Sequence, residues 1–161
     1  MSIVSFFQLD KWKRLEESGR QRASRRDEPP FGDMDFLFEI ADAAYDMRSI
    51  LRKINMRDWS SFAGALEDTA LILARKAGSC ERQREYRGSC FIDPEPFEWL
   101  DKSYKEASGK ERCTWLRSVK KPYDLASGIN DLTACFHRLI EKITEEAGKW
   151  RKEGKCLWRI S

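Results

Sequence analysis

The chain is poor in the residues that carry most acid–base and metal chemistry. It has one histidine, His137, among 161 residues. It has no Gly-rich phosphate loop, no G-x-S-x-G and no Cys-His arrangement, which leaves the common phosphate-binding and nucleophilic sites without their parts. Five cysteines (Cys80, Cys90, Cys113, Cys135 and Cys156) stand at irregular spacings with no C-x-x-C. That pattern supports neither a zinc ribbon nor a secreted disulfide framework, so all are read as free thiols and no metal or cofactor is expected. No apolar run approaches the ~20 residues of a membrane helix. The opening stretch MSIVSFFQLDKWKR is interrupted by Asp10 and Lys11 too early for a signal peptide. A cytoplasmic protein is expected, or one of the host cytosol if the source is viral. Net charge is only +3, from 30 bases and 27 acids, so the chain as a whole does not advertise nucleic acid. No sustained internal repeat and no low-complexity tract occur.

What is present is helical periodicity. With 41% hydrophobic and 35% charged residues and a mean hydropathy of -0.67, the composition is that of a polar-surfaced globular chain, read as one domain over 1–161. The clearest element is Asp33–Ile54. Leu37, Ile40, Ala44, Met47, Leu51 and Ile54 recur at alternating spacings of three and four, which at ~100° per residue form one narrow stripe. Asp33 or Asp35 can cap this helix, acids fill its first half, and Arg48, Arg52 and Lys53 fill its second, as the helix dipole favours.

Around it the sequence predicts an all-α bundle of five to six helices, with long members near 34–54, 60–77 and 125–150. The second long helix is apolar on more than one side, since Leu71 and Ile72 fall outside its main stripe, and Gly78 is placed to stop it. Asp93-Pro94 starts a helix with Phe97, Leu100 and Tyr104 inward, and Ser108–Glu111 fits the capping box of a further short helix. The last long helix begins at Asp124 or Ser127, carries Leu132, Phe136, Leu139 and Ile143, and is expected to be the main partner of the organising helix. A docking helix is expected before Glu17. Residues 18–30 read as a mobile Arg-rich linker and 79–89 as an exposed Arg-rich loop or frayed helix, and a minimal ribbon between Cys90–Ile92 and Cys156–Trp158 is a further reading.

Three sets of residues are candidates for function. Phe38 and Tyr45 lie seven apart, off the principal stripe, with Arg52 nearby. Cover by another helix of the chain is the expected fate of this strip, and a protein partner is the functional alternative. Arg20, Arg22, Arg25 and Arg26 cluster in one polar segment, and Arg82, Arg84 and Arg87 with Tyr86 in another; guanidiniums beside an aromatic can contact phosphates and stack on bases. Against this, Asp27, Glu28, Glu81 and Glu85 dilute the charge. Glu39-x-x-Asp42 with Glu67 and Asp68 resembles, over four residues, the carboxylate sets of helical nucleotide pyrophosphatases that bind magnesium. The wheel turns Glu39 and Asp42 toward water, however, as expected of a solvated face. His137 and Glu141, one turn apart, read as a surface pair rather than a catalytic one. The sequence therefore favours a non-enzymatic protein–protein interaction module (adaptor, inhibitor, immunity protein or virus-encoded antagonist), with a nucleic-acid-binding module and a magnesium-dependent nucleotide hydrolase as the alternatives.

Overall fold

The computed structural model describes residues 6–109 and 123–152. Its helices are α1 (Phe6–Ala23), α2 (Asp33–Lys53), α3 (Arg57–Arg82), α4 (Glu95–Ser108) and α5 (Leu125–Lys152). Strand β1 (Phe91–Ile92) pairs antiparallel with β2 (Tyr123–Asp124), Ile92 opposite Tyr123. The chain is an all-α bundle, with the three long helices where the periodicity puts them. The short helix expected after Ser108, together with Cys113 and Cys156, lies outside the described residues. Among the described residues no helix is long and apolar enough to cross a membrane.

The stripe of α2 is the centre of the core: Leu37, Ile40, Ala44, Met47 and Leu51 are all buried, with Phe36 and Ala43 widening it. Its main neighbour is α3, whereas α5 packs most extensively on α1, so the expected α2–α5 pairing is corrected. Composition explains the choice. Small residues of α3 meet α2, with Ser60 donating to the Arg48 carbonyl and Gly64 and Gly78 lying against Arg48 and Met34, which lets two helix backbones approach closely, while Ala63, Ala70, Ala74 and Ala77 are fully buried. The larger side chains of α3, Phe62, Leu66 and Leu73, complete the core and hold α3 between α2, α4 and α5. Gly78 does not stop the helix, which runs on to Arg82. A Cβ at position 78 would lie 2.8 Å from Met34 Sδ, so this glycine serves the α2–α3 contact instead of a turn. Gly19 has the same role in α1, where a Cβ would collide with Thr133 Oγ1 on α5.

Two loops are shorter than expected. Residues 18–23 of the supposed linker belong to α1, and 79–82 belong to α3. The end of α3 is made by Arg84 in the left-handed conformation (φ 57°), with the Glu85 N–H donating to the Cys80 carbonyl at 2.9 Å. The chain then returns to place Cys90 beside Cys80, and the two form a disulfide with Cα atoms 6.1 Å apart. The expectation of free, readily alkylated thiols at these positions is therefore wrong. Both are buried, and only the tertiary return of the loop brings them together. β1 begins immediately after this bond and pairs with Tyr123–Asp124, and the ribbon partner expected at Cys156–Trp158 lies outside the described residues. Asp93 accepts a hydrogen bond from the Glu95 N–H at 3.0 Å, and Asp124 accepts one from the Ser127 N–H at 2.7 Å, so α4 and α5 begin at the expected acids.

Candidate protein-binding face

The arginines are placed first by what they bond. Asp33, expected as a cap, is wholly buried at the start of α2 and receives two guanidiniums. Arg87 donates to it through Nε at 2.6 Å and Nη2 at 2.9 Å, and Arg22 through Nη1 at 2.6 Å. Arg87 is itself buried and also donates to the Arg25 carbonyl at 3.2 Å. Its backbone N–H bonds the Glu28 carbonyl, and the Gly88 N–H bonds that of Arg26. Arg26 pairs with Asp124 and donates to Ser127 Oγ at 2.8 Å, while Arg20 pairs with Glu16. The two arginine segments thus meet each other and hold the loops against α2 and α5. Arg25, Arg82 and Arg84 make no ion pair among the described residues, and Tyr86 is half exposed. No local pattern signals this network, because Asp33 and Arg87 are 54 residues apart.

His137 lies between two carboxylates. Its Nε2 is 3.0 Å from Glu141, as the helical spacing suggests, and its Nδ1 is within ion-pair range of Glu16 on α1, without hydrogen-bond geometry. This ties α5 to α1. Of the four carboxylates of the hydrolase reading, Glu67 lies close enough to Asp68 and Asp42 to feel their charges, and among the described residues the group of three or more potential metal ligands within 4.8 Å of one another is Cys80, Glu85 and Cys90. With the two sulfurs bonded to each other, that group has no thiolate to offer a metal. Glu67 faces Arg48 at 3.3 Å. Burial is the largest influence on its carboxyl and raises its pKa, Arg48 opposes this, and the charges of Asp68 and Asp42 add to the rise.

Apolar side chains are exposed on α2, α3 and α4. Phe38 and Tyr45 are 40% and 50% exposed, so the described residues cover them only in part. Arg48 lies over the Tyr45 ring at 4.9 Å and reaches across to Glu67 on α3, and Arg52 is exposed nearby. Next to Glu67, Asp68 forms part of a groove of about 580 Å³ between α3 and α4, lined by Ala65, Ile72, Asp93, Glu95 and Trp99 among others. Ile72 is 45% exposed and Trp99 is 58% exposed. The sequence did carry a signal for Trp99. In an otherwise clean amphipathic α4, it sits two residues from Phe97, ~200° away on the wheel. Ile72, off its own stripe, faces this groove instead of a second packing partner. Among family models, curated proteins and solved structures, nothing matches this chain.

Proposed function

We propose that this chain is a non-enzymatic protein–protein interaction module, acting as an adaptor, inhibitor, immunity protein or antagonist. One observation carries the reading: a half-exposed tryptophan and a half-exposed isoleucine line a concave groove on an otherwise well-packed bundle. Recognition surfaces concentrate binding energy in a few large apolar side chains seated in such concavities, with a polar rim around them. Phe38, Tyr45 and Arg52 supply further aromatic and cationic surface on α2, where Arg48 lies over the Tyr45 ring and pairs with Glu67 of α3. The arginine clusters support the nucleic-acid alternative less well, since Arg20, Arg22, Arg26 and Arg87 are engaged with acids of the same chain. The test is paired affinity capture with the wild-type chain and Trp99→Ala, each verified as folded by thermal melting. A protein retained in stoichiometric amount by the wild type and lost with Trp99→Ala is the expected result. Identical captured sets from both chains would remove the groove as the binding surface.

A further inference from the structure

The charged residues that line the groove between α3 and α4 are all acidic, although Lys102 lies over the Trp99 ring. Ala65, Ile72 and Trp99 supply the apolar surface, and Asp68, Asp93 and Glu95 are the charged residues that line it. The Asp93 carboxylate is held by a hydrogen bond from the Glu95 N–H at the start of α4. The Trp99 ring already accepts a cation, Lys102 Nζ lying 5.5 Å from its centroid. Resting on the protein-binding reading above, we propose that the groove's occupant is a basic amphipathic helix of a partner protein. Its apolar side chains would meet Ile72 and Trp99, and lysines or arginines on its flanks would meet Asp68 and Glu95.

Three features argue for this occupant. A trough between two helices suits a third helix, which anchors through side chains one turn apart. A carboxylate rim speeds and orients the approach of a cationic partner and repels an acidic one, nucleic acid included. Neither wall offers an unpaired backbone edge, so strand addition is not available: both walls are helical, with Thr69 Oγ1 donating to the Ala65 carbonyl at 2.7 Å.

The experiment uses fluorescence anisotropy at near-physiological salt with the full chain and synthetic amphipathic helices about 18 residues, or ~27 Å, long. One peptide is built from leucine and lysine, one from leucine and glutamate, and one from leucine and glutamine. The lysine peptide should bind saturably, and both Trp99→Ala and the double change Asp68→Lys with Glu95→Lys should weaken it by about tenfold or more. The double variant should in turn gain affinity for the glutamate peptide. Trp99→Phe, which keeps an aromatic ring, controls for misfolding and should retain most of the affinity. Equal binding of all three peptides, unchanged affinity in the two variants, or no binding at all would overturn the proposal. A homodimer that dissociates in Trp99→Ala would overturn it as well, by assigning the groove to a second copy. Binding of the glutamine peptide alone, lost in Trp99→Ala, would overturn the cationic class while leaving the protein-binding reading intact.

Discussion

Asp33 and Glu67 show how differently two acids of one helical bundle can be used. Asp33 is fully buried and neutralised by Arg87 and Arg22, which is the arrangement that makes a buried charge tolerable. Removing one partner strands the other, so Asp33→Ala should destabilise the protein by about 3–5 kcal/mol in chemical denaturation, the usual cost of an uncompensated buried charge. A loss under 1 kcal/mol would mean that water already solvates Arg87. Glu67 is only partly buried, and its carboxyl is held above the usual range, chiefly by desolvation. A carboxyl whose pKa is raised on folding contributes stability that is fully present below its unfolded pKa and is lost as pH rises through the folded value. Stability measured from just below the ordinary glutamate range upward should therefore fall more gently in Glu67→Gln than in the wild type. Matching slopes would show that Arg48 cancels the desolvation.

At the level of elements, local pattern and tertiary context divide cleanly. The extent of α2 and the inward residues of α4 were legible because a 3.6-residue period needs only neighbours along the chain. The same holds for the starts of α4 and α5, where Asp93 and Asp124 bond the first turns. Gly78 was misread because a glycine near a helix end obeys two rules, and close packing on Met34 overrides the stop. Cys80 and Cys90 were misread because nothing in their spacing reveals a loop that folds back. This bond closes the segment carrying Arg87, so it also holds the guanidinium over Asp33. Reduction should lower stability by about 2–3 kcal/mol, the loop-closure value for a separation of 10 residues. It should also speed amide exchange at Arg87 and Gly88, whose N–H groups bond the 24–32 loop. The bonded form suits an oxidising compartment and the thiol form a reducing cytoplasm, so the redox state in the native host bears directly on where the protein acts.

For the whole molecule, the charged network and the apolar face have separate tasks. Asp33, Arg22, Arg26 and Arg87 bind the loops to the bundle, while Tyr45, Ile72 and Trp99 remain at its surface across α2, α3 and α4. The candidate face was half legible. Phe38 and Tyr45 stand out as aromatics off a clean stripe and remain partly exposed, whereas the groove between α3 and α4 depends on how α4 docks on α3, which no local pattern encodes. The proposed partner binding is assigned to this face and not to the arginine clusters. Its most direct test is to measure melting temperature and partner affinity together on Trp99→Ala and Asp33→Ala. The account predicts that Trp99→Ala melts within about 2 °C of the wild type, as exposed side chains contribute little to folding, and loses the partner. It predicts that Asp33→Ala melts well below the wild type while its folded fraction binds normally. A Trp99→Ala chain that binds with wild-type affinity, or a folded Asp33→Ala chain that does not bind, would contradict it.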